Sequence, residues 1–417
     1  MRTFVRIITT GFILASWVFV DAASGLSLDV VVKETLENNP EILAAENKWE
    51  AAKAKVPQVR WWDDPQLGVS FEKIPQGSYS LGAAKMRMLS ISQIIPFPGK
   101  LTLKGRMAQS EVMIAKEEYE AKKQELTARV KSAYYRLFLV YKSIEIEKEQ
   151  RDLLRKFSKI AETKYAVGQA AQHDVLKAQV ELSLLADDLI TLQQEDLPTA
   201  EAKLNDILNR PPHSPLGVPE EFTVPKLEKN RKEIEEFALK YRQTLKAIGY
   251  GVEKSMAAYK LAKMEYLPDF GIKFMRTEME TAMNTETTGG VMLSINIPLW
   301  FWKKGYGVSE KRAQKRSAEA SYQAMRNMVL FEVQNALAKF NTTERRVNLF
   351  QTSIIPQAEQ TLKAATVAYE TGKVDFLTLM NSERMLRDTK LKYYKILMDH
   401  ATNFANLERV VGVRLTK

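Results

Sequence analysis

Residues 106 to 167 contain neither glycine nor proline, the two residues that interrupt a helix most strongly. That stretch reads as one very long helix. Counted from Gly99, just past the apolar run Ile94-Ile95-Pro96-Phe97-Pro98, it is about 68 residues long and, at 1.5 Å per residue, roughly 100 Å end to end. An ordinary globular domain has no use for such a length. Leu126, Val130, Ala133, Leu137, Tyr141 and Ile144, then Leu154, Phe157 and Ile160, recur at three and four, the spacing of a single buried stripe. Between them Glu145 to Asp152 is nearly all polar and is expected to face water. Tyr165-Ala166-Val167-Gly168-Gln169 ends the helix, with Gly168 suited to a left-handed cap.

The layout around this helix occurs twice. Before it come a short helix from Leu28 to Asn38, a second from Pro40 to Trp61 kinked at Pro57, and then a change of period. Leu67, Val69 and Phe71 alternate with polar residues, as in a strand with one apolar face. After a loop at Pro75 to Lys85, the rhythm resumes over Met88 to Gln93. A return helix runs from Gln172 to Asn209, bent at Pro198, and a Pro-rich connector spans 210–225. The second half has helices from Arg231 to Tyr241 and on to Tyr266, then a strand from Phe270 and a polar loop from Thr277 to Gly290. The return strand carries Val291, Leu293, Ile295 and Ile297 on one face. A long helix from Gly307 to Thr371 is interrupted at Pro356, and a last one runs from Asp375 to Val411. Leu267-Pro268-Asp269 matches Asp64-Pro65, Ile297-Pro298 matches Ile95-Pro96, and Tyr369 to Lys373 matches Tyr165 to Gln169. An offset of about 203 residues throughout means a duplication, not a short-period solenoid. The expected organisation is a leader at 1–24, a first repeat at 25–225 and a second at 226–417. The hairpins fall at about 65–96 and 268–298, and the long-helix turns at about 165–170 and 369–374. In the first repeat, the helix before the hairpin and the return helix together nearly equal the long helix in length. Stacked end to end, they can run alongside it.

Met1 to Ser24 has the form of a secretory signal. Arg2 and Arg6 precede the apolar run Ile7 to Val20, and small residues follow at Ala22 and Ala23. As a membrane anchor that run is short, and no other stretch approaches the ~20 apolar residues of a spanning helix. If the chain crosses a membrane elsewhere, it does so with strands. With no cysteine in 417 residues, disulfides, thiolate metal sites and cysteine nucleophiles are excluded. His173, His213 and His400 are too scattered to form a metal cluster, and each reads as an exposed polar side chain. The net charge of +10 is spread along the helices, not gathered into a patch interleaved with aromatics, so nucleic acid is not an expected partner. No Ser, His and acid constellation converges on any motif, and neither a catalytic site nor a cofactor is expected.

Four half-apolar strands cannot close a barrel, since single-chain outer-membrane barrels need about eight, and their open edges are a liability. Copies of the same chain in cyclic symmetry solve both problems. Trp61, Trp62, Trp300 and Trp302, with Phe97 and Phe301, fall where strands meet helices. That is the place for an interfacial aromatic belt, and equally for packing a helix-strand corner.

The duplicated order of helix, hairpin, long helix, turn and helix, with Asn39-Pro-Glu-Ile42 and two Tyr-x-x-Gly turns, resembles the TolC-like outer-membrane efflux proteins. Gln93-Ile-Ile-Pro-Phe-Pro-Gly-Lys100 and Asp63-Asp-Pro-Gln-Leu67 are similar to the branch serving heavy-metal cation exporters. The resemblance implies a mainly α protein with a β-barrel portion: a homotrimer closing about 12 strands in the outer membrane, with a helical tunnel across the periplasm. It implies docking to a periplasmic adaptor and an inner-membrane pump of the resistance-nodulation-division type, and no catalysis. Tyr165, Gly168, Tyr369 and Gly372 would then lie at the periplasmic tip where adaptors bind, although each glycine also has a plain role as a cap. In some relatives aspartates six and nine residues after the second-turn glycine narrow the pore; here those positions are Thr378 and Asn381. Asp174 and Asp375 are the nearest acidic candidates, and both also suit a helix N-terminus.

Two other readings stay open. A duct of the same build can serve drug efflux or protein export with an ATP-driven transporter, and neighbouring genes separate that from cation efflux. A periplasmic adaptor or coiled-coil scaffold lacks a use for two alternating hairpins; recovery in the soluble periplasmic fraction would favour it.

Overall fold

The computed structural model of the chain describes residues 25–281 and 284–415; the leader read at 1–24 lies outside them. The first half comprises α1 (Leu28–Asn38), α2 (Pro40–Arg60), β1 (Gln66–Glu72), β2 (Met86–Ile95), α3 (Lys100–Ala166), α4 (Gln172–Thr191) and α5 (Leu197–Leu208). The second comprises α6 (Arg231–Tyr241), α7 (Gln243–Met264), β3 (Phe270–Glu280), β4 (Thr285–Ile295), α8 (Phe301–Leu349), α9 (Ile355–Glu370) and α10 (Phe376–Val411).

The 67-residue helix α3 is the long element expected from its composition. It starts where Gly99 turns left-handed at φ 97°, a conformation that an L side chain adopts only under strain. Shorter helices flank it end to end. Beside its first half lies α2, held by Lys55 to Glu111 at 2.8 Å and by Glu41 to Arg129 at 2.7 Å, with Trp49 stacked on Tyr119. Farther along, α5 and α4 take over: Tyr141 donates to Glu201 at 3.2 Å, and Leu154, Phe157 and Ala161 pack with Ala178.

The bend at Pro198 and the interruption at Pro356 take one form, a single π turn just before each proline, at Leu192–Asp196 and Phe350–Ile354. Proline has no N–H for the helical ladder, and a π turn is a common way of accommodating such a gap.

Three expectations are corrected. Helix α8 begins at Phe301, six positions before Gly307, because packing against α7 and the stacking of Tyr266 on Phe301 outweigh the ~1 kcal/mol propensity deficit of each of Gly305 and Gly307. The second hairpin is longer than its apolar pattern. Arg276 to Glu280 pairs with Thr285 to Gly289, so most of the polar loop is strand, favoured by the β-propensity of its threonines. Within 145–152, Ile146, Glu147 and Gln150 are buried, since α10 covers that face through Arg387 and Lys390.

The four strands form one antiparallel sheet in the order β1-β2-β3-β4, so the two hairpins join through β2 and β3. The register aligns Leu67, Ile91, Phe274 and Val291 in one row, and Gly68, Ser90, Met275 and Gly290 in the next. Alternate rows therefore fall on opposite faces; the face of Leu67 is largely apolar near the helices and turns polar at Arg87, Arg276 and Glu278 toward the far end of the hairpins. Leu67, Val69, Leu89, Ile91, Phe274, Val291, Leu293 and Ile295 are all exposed.

Among the described residues, three apolar clusters hold the helices. One surrounds Tyr134 and Leu204 where α1, α3 and α5 meet. A second surrounds Phe340 and Leu407 between α6, α8 and α10. The third gathers Leu154, Phe157, Leu362, Tyr369, Phe376 and Leu379 beside the two long-helix turns. Among the described residues, no helix is long and apolar enough to cross a membrane.

Candidate functional site

The two turns far apart in sequence come together at one end of the molecule. Each is closed by the same pair of bonds. Gln169 N donates to Lys164 O at 2.8 Å and Gly168 N to Tyr165 O at 3.0 Å; Lys373 N donates to Ala368 O at 2.8 Å and Gly372 N to Tyr369 O at 3.1 Å. This is the Schellman arrangement, with Gly168 at φ 74° and Gly372 at φ 73°. Lys164, a basic residue in the last turn of α3, then links them. Its Nζ donates to the carbonyls of Tyr369 at 2.6 Å and Glu370 at 3.1 Å, where the negative end of the α9 dipole favours a cation. Sequence reasoning missed Lys164, although a lysine in the last turn before a C-cap glycine is a recognisable signal.

The turns are not equivalent. Tyr165 is 47% exposed, whereas Tyr369 is 4% exposed and packs on Phe376 at 5.4 Å between ring centres. The exposed surface of the tip therefore includes Tyr165, Val167, Gly168 and Gly372 but not Tyr369.

Beside it, Asp375 caps α10. Its Oδ1 accepts from Thr378 N at 2.9 Å and from the Thr378 hydroxyl at 2.6 Å. These hydrogen bonds, side-chain first, hold the carboxyl below its usual range. Asp375, Thr378 and Asn381 are all exposed and lie three positions apart, on one helical face. Asp174 sits at the start of α4, with His173 Nε2 3.0 Å from its carboxylate.

At the junction of sheet and helices, Trp61, Trp62, Trp300 and Trp302 are exposed; Trp300 and Trp302 meet edge to face at 5.3 Å. Behind them Asp269 accepts from Phe97 N at 2.8 Å and from Lys100 Nζ at 2.8 Å, and Lys100 also donates to Leu267 O at 3.0 Å. The Phe97 to Lys100 segment singled out in the sequence is thus fastened to the strand entry of the other repeat.

Among the described residues, no group of three or more His, Asp or Glu side chains is arranged to hold a metal ion. His400, expected on the surface, is buried. It stacks on Phe340 at 4.7 Å and meets Thr343 Oγ1 at 3.1 Å, and burial lowers its pKa.

A sequence profile described as "outer membrane efflux protein" matches the chain twice, over residues 31–210 and 236–413. The chain belongs to the outer membrane efflux protein family. It is 21% identical over 409 residues to the cobalt-zinc-cadmium resistance protein CzcC of Cupriavidus metallidurans, a match that spans 94% of this chain and 91% of that protein. To the outer membrane protein TolC of Vibrio cholerae it is 21% identical over 425 residues, 94% of each. The solved structure of CusC superposes with a TM-score of 0.80 at 17% identity, covering 93% of this chain and 92% of that one, which shows the fold. Outer membrane efflux proteins are transport ducts, not enzymes, and this chain is an efflux channel component of that kind.

Proposed function

We propose that the chain is the outer-membrane exit duct of a tripartite efflux system for heavy-metal cations. It works as a homotrimer with a periplasmic adaptor and an inner-membrane pump of the resistance-nodulation-division type. The observation that carries this reading is the sheet: one largely apolar face whose Leu67, Ile91, Phe274, Val291 and Leu293 are exposed, and two edges, β1 and β4, with no partner strand among the described residues. In water both are liabilities. In a cyclic trimer, β4 of one protomer pairs with β1 of the next, about 12 strands close into a barrel, and the apolar face meets outer-membrane lipid. The helices then extend into the periplasm as a tunnel, and the exposed tryptophans lie in the belt at the inner interface.

Mass measurement of the detergent-extracted protein is expected to give a trimer that is not released from membranes without detergent. A monodisperse soluble monomer would overturn the duct reading.

At the far end, Tyr165, Gly168 and Gly372 form the surface offered to the adaptor, and buried Tyr369 supports it from beneath. Tyr165→Ala removes a half-exposed ring without disturbing the Schellman bonds. It is expected to leave trimer stability within ~0.5 kcal/mol of wild type while lowering metal tolerance in a complementation assay; unchanged tolerance would remove Tyr165 from the contact. Asp174, Asp375, Thr378 and Asn381 ring the aperture, which on this reading is polar, with Asp375 engaged in capping α10.

The likeness to a cobalt-zinc-cadmium resistance protein supports cations as the substrate class. Deletion of the gene is expected to lower growth on cobalt, zinc, cadmium or copper. Unchanged metal tolerance with lost drug tolerance, or lost export of a protein substrate, would move the duct to those systems instead.

A further inference from the structure

Between the apolar cluster at the turns and the one around Tyr134 lies a polar seam that the duct reading leaves without a role. Glu147 and Gln150 of α3 are each 3% exposed, and Glu383 of α10 is 2% exposed, flanked along its helix by buried Met380 and Leu386. Each of the three has an oxygen with no hydrogen-bond partner among the described residues: Oε2 of Glu147, Oε1 of Gln150 and Oε1 of Glu383. All three orphans are acceptors. Buried acceptors without donors are unfavourable, and buried unpaired carboxylates far more so.

The cations nearby do not resolve this. Arg387, one turn beyond Glu383, stands 3.9 Å from Glu147, 3.8 Å from Asp188 of α4 and 3.4 Å from Asp388, one guanidinium spread over several carboxylates. Arg384 is engaged with Glu181 of α4, and Lys390 lies 3.8 Å from Glu149. What the seam lacks is hydrogen, and the simplest source is a proton on a carboxyl. Burial, opposed by Arg387 and reinforced by Glu147 and Asp388, pushes the Glu383 carboxyl up to about 7. Glu147 moves up as well, from burial first, with Arg387 opposing and Asp188 and Asp388 adding.

We propose that Glu147 and Glu383 form a proton-operated latch between α3 and α10, closed when a carboxyl is protonated and loosened when both are ionised and water enters the seam. The latch lies about 10 Å along α10 from its start at Phe376, so the stretch it releases carries Thr378 and Asn381. The sign follows from linkage. An acid whose pKa is raised by folding stabilises the packed state at low pH, and this contribution is withdrawn as pH rises from the ordinary carboxylate range through about 7.

The latch needs only the fold, whereas its effect on a pore rests on the duct reading, and the test keeps the two apart. Hydrogen exchange of the full-length protein in detergent, corrected for intrinsic rates, is compared between pH 5.5 and 8.5. Segments 144–158 and 376–390 are expected to exchange roughly tenfold faster at the higher pH, the factor carried by one pKa unit, while α2 stays unchanged. Glu383→Gln, which mimics the protonated group at every pH, is expected to abolish the step, and Glu147→Gln to reduce it. The second variant keeps the test open should the first fail to fold. Equal exchange at both pH values, or a step surviving in both variants, would overturn the latch. Conductance in planar bilayers is read in parallel. An exchange step in a protein that forms no pore supports the latch and overturns the duct; a working pore with flat exchange does the reverse.

Discussion

Gly412→Ala is expected to destabilise the folded protein by about 3 kcal/mol or more, against about 1 to 2 kcal/mol for Gly372→Ala. Both glycines end helices in the left-handed region, at φ 87° and 73°, and a Cβ there carries the same backbone strain. Their surroundings decide the difference. Around Gly372 an added Cβ meets nothing within 4 Å, whereas at Gly412 it would stand 2.8 Å from Gln243 Oε1, 2.9 Å from Tyr241 O and 3.0 Å from Arg242 Cα. Two of those three atoms are backbone and cannot rotate away, so the corner between α6 and α7 must move. That corner is where buried Arg242 donates to the Arg409 carbonyl and Gln243 Nε2 to Gly412 O at 2.8 Å; each bond loosened adds about 1 kcal/mol. Thermal unfolding followed by circular dichroism, on both variants in the same detergent, measures the gap. Coincident melting temperatures would mean that the corner yields without resistance.

The long helix was legible because its signals are local. A stretch free of glycine and proline from Arg106 to Val167, flanked by Gly99 and Gly168, specifies one rod, and α3 begins one residue after the first of these glycines and ends two before the second. The repeat was legible for the same reason: the proline breaks and Tyr-x-x-Gly turns mark equivalent places in each half. Strand alternation survived as well, but only where the outward residues are apolar. The threonine-rich outer end of β4 carries no such contrast, and so it read as loop.

What escaped depends on partners distant in the chain. Glu147 and Gln150 sit in a run whose polarity argues for solvent, and their burial is imposed by Arg387 and its neighbours on α10, more than two hundred positions later. His400 is similar: a lone histidine says nothing about Phe340 and Thr343 waiting on α8. At the tip, the sequence marked both turns as alike, yet only packing could show that Tyr165 is open and Tyr369 is enclosed by Phe376. Periodicity reports one face of one element, and a site assembled from two repeats is a property of their contact.

Asp269→Leu is expected to destabilise the sheet-helix corner by about 3 kcal/mol and Lys100→Met by less, with the double variant losing clearly less than the sum of the two. Lys100 is the more buried partner, with 6% of its side chain exposed against 27% for Asp269, and removing Asp269 leaves an ammonium with only the Leu267 carbonyl at 3.0 Å. Removing Lys100 is gentler on its partner, since Asp269 keeps the Phe97 N–H and some solvent. Asp269→Leu should therefore be the worse of the two, an order that a purely geometric strut would not produce. The double variant removes the stranded charge but still leaves Phe97 N–H and Leu267 O without their bonds, so recovery is partial, with a coupling of about 2 kcal/mol. Lys203→Met serves as the reference. Its partner Asp206 lies one turn away with both side chains more than 60% exposed, a pair worth under about 0.5 kcal/mol. Equilibrium denaturation of the four variants beside the wild type separates the cases. If Asp269→Leu unfolds like Lys203→Met, the corner is held by packing of Phe97 on Phe270 and not by charge. If it falls by the expected amount, the joint between sheet and helices is electrostatic, fastened across the two repeats by a single lysine.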